Sequence, residues 1–154
     1  MAALGQIKEN NMNNSDINLH HANSSLHRLK GLHASFIQEI NKTQAGQGET
    51  FLVEASIEAI VVKVFDYEFR AIPRLVLTVN EDALSFFVEH VFEYISQKDP
   101  VEVARFYLAS DGVVVNSTDA NEKIFEFNNM YVNKEIGQFV SQSALMSEVF
   151  QPAR

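Results

Sequence analysis

The sequence predicts an α+β domain, with an antiparallel sheet of about five to six strands that carries three helices in the order α-β-β(-β)-α-β-β-β-α. Three observations support this class. Apolar and polar residues alternate over residues 50–79, and other segments carry apolar residues at helical spacing. Ser110-Asp111-Gly112 separates two apolar runs, which is a strong hairpin signal. Together they indicate a half-buried sheet with helices packed against it.

Residues 1–15 are rich in Asn and poor in apolar side chains, so they are predicted to form a disordered tail, with residues 16–154 as a single domain. Met1 and Met12 are both compatible with the start of the natural chain. The first helix follows and ends at the breaker formed by residues 44–48. Its predicted buried stripe consists of Leu26, Leu29, His33, Phe36, Ile37 and Ile40.

The alternating region is predicted to form two strand runs, over residues 50–64 and 67–80, with a boundary at residues 65–66. The odd positions of the first run are apolar and its even positions polar, so the odd set is predicted to be buried. Pro73 cannot donate to a ladder, so it marks a bulge, an edge or the gap before a separate strand over residues 75–79.

A second helix is predicted between an N-cap at Asn80 and a stop at residues 99–100. Its apolar stripe consists of Leu84, Phe87, Val88, Val91 and Ile95. The additional aromatic residues Phe86, Phe92 and Tyr94 make this segment apolar on more than one side. A helix of that kind is either covered or contacts another chain, so these three residues are predicted to form a dimer or hydrophobic contact.

The C-terminal third is predicted to form a hairpin over residues 103–108 and 113–116, a short strand over 124–127 and a last helix over 133–150. The apolar residues predicted to face inward on that helix are Ile136, Phe139, Val140, Met146, Val149 and Phe150.

The composition restricts the possible partners. The net charge is −8, and residues 49–102 hold eleven acidic and four basic side chains. Such a surface repels phosphate groups, so nucleic acid and anionic membranes are disfavoured and a basic protein is favoured. The chain has no cysteine, no apolar stretch that could span a bilayer, and no apolar signal sequence at Met1. We therefore expect a cytoplasmic location.

Four carboxylates, Glu54, Glu58, Asp66 and Glu68, share one face of the sheet if the two strand runs pair. Facing carboxylates can perform acid–base chemistry, and they can also bind a basic partner. No nucleophile, glycine-rich phosphate loop or metal-ligand cluster accompanies them. We therefore predict no catalytic residue and no cofactor, and we assign the four carboxylates to partner binding.

The spacing of the histidines along the sequence does not predict a metal site. His20, His27 and His33 are seven and six residues apart, whereas helical metal pairs need spacings of three or four. His90 lies one predicted turn from Glu93, which could make a general base, but a solvated helix face is the simpler expectation. No metal is predicted.

The predicted order of elements resembles that of the class I type III secretion chaperones, in which a helix precedes three strands, a helix, two strands and a closing helix. The passage Val-Glu-Val-Ala-Arg-Phe-Tyr-Leu-Ala-Ser-Asp-Gly-Val-Val-Val-Asn over residues 101–116 is similar to a helix-to-hairpin passage in that superfamily. The resemblance covers residues 24–150 and departs from the pattern in an extra loop and strand at residues 117–127. It implies a small cytoplasmic dimer that wraps an extended client segment.

We therefore expect a non-enzymatic, chaperone-like protein-binding domain that forms a homodimer and holds a client or partner protein. One alternative is an immunity-type or anti-defence inhibitor that covers a basic active site with the acidic face. The other is a small-ligand-binding or enzymatic α+β barrel, which a deep cavity rimmed by Glu58, Asp66 or His90 would favour.

Overall fold

The structure is a computed structural model that describes residues 2–44, 50–80, 83–95, 99–119 and 122–150. In these ranges it shows two α-helices, eight strands and a 3-10 helix, and the α+β class is confirmed. The elements are α1 (Ala2–Lys42), β1 (Phe51–Ala55), β2 (Ile60–Val64), β3 (Tyr67–Ala71), β4 (Arg74–Asn80), β5 (Ala83–Ile95), β6 (Pro100–Ala109), β7 (Val113–Val115), β8 (Lys123–Glu126), α2 (Val132–Leu145) and the 3-10 helix Glu148–Phe150.

All strand pairs in the described sheet are antiparallel, in the order β1-β2-β3-β5-β6-β7-β8. The long strand β5 pairs with β6 over most of its length. Its other side is shared, since β3 pairs with residues 92–94 and β4 with residues 83–89. The β4–β5 hairpin therefore extends beyond the end of β3.

The predicted second helix is wrong, because residues 83–95 form strand β5. The apolar residues that suggested a helical stripe lie on both faces of the strand. Phe92 and Val88 belong to the main core, whereas Phe87 packs with Tyr107 and Val115 in a second cluster on the other face. A strand buried on both faces loses the period-two pattern, and its aromatic and β-branched residues favour a strand.

The first strand run is also two strands, because a turn at residues 56–59 separates β1 from β2. Ser56 stabilises the turn through its backbone N–H, which donates to the Ala59 carbonyl at 2.8 Å, and through its hydroxyl, which accepts from the Glu58 N–H. The turn reverses the parity of burial. Val53 is buried before it and Ile60 after it, whereas Ile57, predicted to be buried, is exposed.

Other predicted boundaries are confirmed. The turn at residues 65–66 joins β2 to β3, Pro73 separates β3 from β4, and the turn at residues 110–112 joins β6 to β7. Gly112 has a φ of 88°, and the ring of Phe127 lies 2.6 Å from where a β-carbon would stand. Only glycine fits this turn without strain.

Both helices pack on the same face of the sheet, and the main core lies between the helices and that face. The predicted stripe of α1 is confirmed, since Leu29, Phe36 and Ile40 are fully buried. Residues 2–15 belong to α1 in the structure, and the disordered tail expected there stays a prediction. Met146, predicted to face inward, is exposed because α2 ends at Leu145, and Ser147 then bonds back to the Ala144 carbonyl.

Two asparagines join the helices to the edge of β1. The buried Asn133 donates its side-chain amide to the carbonyls of Ile40, at 2.8 Å, and Val53, at 3.1 Å. The side chain of Asn41 forms two hydrogen bonds with the backbone of Ala55, at 2.8 and 3.1 Å. These contacts link both helices to β1 and satisfy backbone groups on its outer edge.

Candidate functional site

The β4–β5 hairpin exposes apolar side chains on the face of the sheet that the helices cover elsewhere. The register places Leu75 opposite the core residue Val88, and Leu77 and Val79 follow on the same face of β4. Leu75, Leu77, Val79 and Leu84 are exposed by 52%, 51%, 69% and 41%. The sequence shows the alternation of these residues but not that the helices leave them uncovered.

A groove separates this hairpin from α1. Its volume is about 420 Å³, and its lining consists of Asn23, Leu26, His27, Leu29, Lys30, His33, Leu75 and Val88. The apolar residues come from both sides of the groove, and the polar ones all come from α1. None of the lining residues is acidic, although the chain as a whole is strongly acidic.

The groove residue His33 is buried and stacks on a second buried histidine, His90. The rings of His33 and His90 stack with their centroids 5.2 Å apart, and His90 also contacts Phe36 and Phe106 at 5.9 and 5.1 Å. Neither ring nitrogen of His90 has a hydrogen-bond partner in the described structure, nor does Nε2 of His33. The expected solvated position of His90 is therefore wrong, because its segment is a strand whose even residues face the core.

The environment keeps both imidazoles neutral at physiological pH. Burial, and secondarily the charge of His33, lowers the pKa of His90 to about 3. Burial also lowers the pKa of His33. A pair of neutral buried imidazoles with unpaired nitrogens is unusual, because buried polar groups normally form hydrogen bonds.

The outer edge of β4 is unpaired in the described structure, since β4 pairs only with β5. This edge runs over seven residues and has no charged side chain between Leu75 and Asn80. The other two edge strands differ: β1 is protected by Asn41 and Asn133, and β8 is short and carries the ion pair of Lys123 with Glu126. Natural sheets protect their edges in these ways, so β4 is the exception.

The four carboxylates predicted to bind a partner are all exposed, but they do not form one cluster. Glu58 and Asp66 lie in the turns at opposite ends of β2, and the strand between these turns is about 13 Å long. Glu68 lies opposite Lys63 and contacts Arg70 at 3.4 Å. Basic residues thus interrupt the acidic face.

An open hollow of about 530 Å³ lies at one end of this face. Glu54 and Glu58 line it together with Arg70 and Ile72. It brings together two of the four predicted carboxylates and a cation.

The three aromatic residues predicted to form a dimer contact are not on a helix surface. Phe92 is 0% exposed and lies in the core. Phe86 and Tyr94 are half-buried and pack against the same core, with the Tyr94 ring 5.3 Å from that of Tyr67. The apolar surface exposed on this hairpin is aliphatic and belongs mainly to β4.

A charged network on the opposite face escaped the sequence analysis. The buried carboxylate of Glu89 contacts Arg74 at 2.9 Å and Arg105 at 3.5 Å. Arg105 also bonds to Glu102 and to the Tyr107 hydroxyl, and these bonds raise its pKa. The network links β4, β5 and β6. Its members are far apart in the sequence, so the spacing of residues along the chain does not reveal their pairing.

The described part of the chain was compared with the requirements of a metal cluster and of a membrane-spanning helix. It holds no group of three or more histidine or acidic residues that could bind a metal ion. None of its helices has the length and apolar character needed to cross a bilayer.

Comparisons with protein-family models, curated proteins and solved structures find no match for this chain. The resemblance to the secretion chaperones therefore stays a prediction. The observed order of elements differs from that family's pattern at its centre, where β5 takes the place of a helix.

Proposed function

We propose that this chain is a non-enzymatic protein-binding domain that contacts its partner through the free edge of β4. The observation that carries the proposal is the unpaired edge of β4, which is uncharged beyond Arg74 and has half-exposed aliphatic side chains beside it. An added strand would pair with the backbone of β4, and its side chains would cover Leu75, Leu77 and Val79.

The energetics favour such a contact. Complete burial of an aliphatic side chain contributes about 1.5 to 3 kcal/mol. Leu75, Leu77 and Val79 are each exposed by half or more, so covering all three contributes roughly 4 kcal/mol before the costs of association. Backbone hydrogen bonds along β4 add to this value.

The partner that fits this edge most directly is a second copy of the chain. Antiparallel pairing of two β4 strands about Leu77 places aliphatic residues opposite aliphatic residues. It sets Arg74 across from Asn80, so no like charges face each other. A homodimer built in this way extends the sheet across two protomers and leaves the acidic strands β1–β3 available to a further partner.

The test is the oligomeric state of the wild type and two variants, measured by sedimentation velocity at micromolar concentrations. A lysine on an edge strand blocks pairing, so Leu77→Lys should be monomeric whereas the wild type forms a dimer. Ile57→Lys is the matched control, because it places the same charge at an exposed aliphatic residue away from β4. A monomeric wild type, or a dimeric Leu77→Lys, refutes pairing through β4.

The inhibitor alternative has weaker support, because Lys63 and Arg70 interrupt the acidic face. It requires binding to a basic protein that weakens with added salt. The ligand-binding alternative gains support from the groove beside His33.

A further inference from the structure

We propose that the groove between α1 and the β4–β5 hairpin binds a small apolar carboxylate of the fatty-acid type, with its head group held by Lys30 and His33. The proposal does not rest on strand pairing by β4, although Leu75 takes part in both contacts. Edge pairing uses backbone groups in the plane of the sheet, whereas the groove lies on the helix side of the hairpin.

The shape and apolar lining of the groove fit the hydrocarbon part of such a ligand. Leu26 and Leu29 line one side, and Leu75 and Val88 line the other. The volume of about 420 Å³ lies within the usual range of small-molecule sites, roughly 300 to 1,000 Å³. An alkyl chain that lies between these four residues would cover part of the exposed surface of Leu75.

The polar lining selects an anionic head group. Its side chains are one asparagine, two histidines and one lysine, which can all donate hydrogen bonds. Lys30 forms no ion pair within the described structure and is exposed at the rim. The chain has a net charge of −8, but the groove lining contains Lys30 and no carboxylate, so the groove is locally positive. A carboxylate ligand is therefore favoured over a cation.

The positions of Lys30 and His33 suit a two-oxygen head group. Residues three apart on a helix are neighbours, with β-carbons about 5 to 6 Å apart. One carboxylate oxygen can accept from the ammonium and the other from the imidazole. His33 is 9% exposed, and its Nε2 has no partner in the described structure. No described acceptor pairs with Nε2, so this nitrogen can donate to a ligand.

The experiment is isothermal titration of the full chain with dodecanoate below its micelle concentration. Dodecyltrimethylammonium, which has the same tail and the opposite charge, is the comparison probe. We expect dodecanoate to bind and the cation to bind at least about ten-fold more weakly. Lys30→Gln and His33→Leu should each weaken dodecanoate about ten-fold, whereas Arg28→Gln, an exposed cation outside the groove lining, should bind like the wild type.

Two readouts separate a contact with the ligand from a general effect on folding. Amide shift changes in NMR spectra should centre on Leu29, His33, Leu75 and Val88. His33→Gln, which keeps an N–H donor, should bind dodecanoate more tightly than His33→Leu, because the buried imidazole donates in its neutral form.

Several results would overturn the proposal. They are no binding of dodecanoate at millimolar concentration, equal binding of both probes, or unchanged affinity in both Lys30→Gln and His33→Leu. Shift changes confined to the outer edge of β4 would also overturn it, since they place the ligand outside the groove. Dodecanoate binding by monomeric Leu77→Lys but not by a dimeric wild type would overturn it as well. In that case the second copy of the chain occupies the groove of the wild type.

Discussion

Replacement of His90 by leucine should remove a large part of the acid sensitivity of this protein. His90 is completely buried, and its pKa lies at about 3 instead of 6.5. In the unfolded chain the imidazole is exposed and binds a proton below pH 6.5, whereas in the folded chain it stays neutral until the pH approaches 3. The unfolded state therefore binds more protons in this window, and stability is lost as the pH falls.

The size of the effect follows from the displacement of the pKa. One pKa unit corresponds to about 1.36 kcal/mol, so lowering the pH from 7 to 5 costs about 2 kcal/mol through His90 alone. His33 acts in the same direction because burial lowers its pKa as well. The carboxylates of an unfolded chain titrate mainly below pH 5, so the histidines dominate this range.

The assay is urea unfolding followed by circular dichroism at pH 5, 6 and 7. His90→Leu should reduce the loss of unfolding free energy between pH 7 and 5 by about 2 kcal/mol. At pH 7 its stability should equal or exceed that of the wild type, because two unpaired buried nitrogens are removed. His21→Leu, a substitution at an exposed histidine, should keep the wild-type dependence. The same pH dependence in His90→Leu and in the wild type would refute the reasoning.

Three further predictions concern packing and hydrogen bonding. Gly31→Ala should stabilise the protein by up to about 1 kcal/mol, because nothing lies within 4 Å of the added methyl group and alanine favours a helix. Gly137→Ala should instead destabilise the protein by about 1 to 3 kcal/mol, because the ring of Phe51 occupies the space of the added methyl group. Thermal unfolding midpoints that shift in the same direction in both glycine variants would contradict these two predictions. Asn133→Ala should cost about 3 kcal/mol in urea unfolding, because it leaves buried carbonyls of α1 and β1 unpaired, and a loss below about 1 kcal/mol would show that these bonds contribute little.

Local sequence signals predicted the elements that they control directly. Asp111 and Gly112 identified the β6–β7 turn, because its positive φ requires a residue without a side chain. Pro73 identified the break between β3 and β4, because proline cannot donate in a ladder. The buried face of α1 followed from helical spacing, since that helix packs on one side only.

The segment 83–95 was predicted incorrectly because it is buried on both faces. Phe92 faces the helices, and Phe87 packs on the opposite side with Tyr107. Spacing reveals a secondary structure only when one side meets water, so a strand covered twice resembles a helix with a wide apolar stripe. The same error placed His90 in solvent rather than beside His33.

The amino-acid sequence by itself determined an acidic, cysteine-free α+β chain with an antiparallel sheet, a one-sided first helix and a β6–β7 hairpin. Only the tertiary structure decided that His33 and His90 meet, that Asn41 and Asn133 close the edge of β1, and that Leu75, Leu77 and Val79 remain uncovered. The physical reason is that backbone preferences and apolar periodicity act over a few residues. Coverage of a surface depends on where a distant element lies, and no local pattern of side chains records that position.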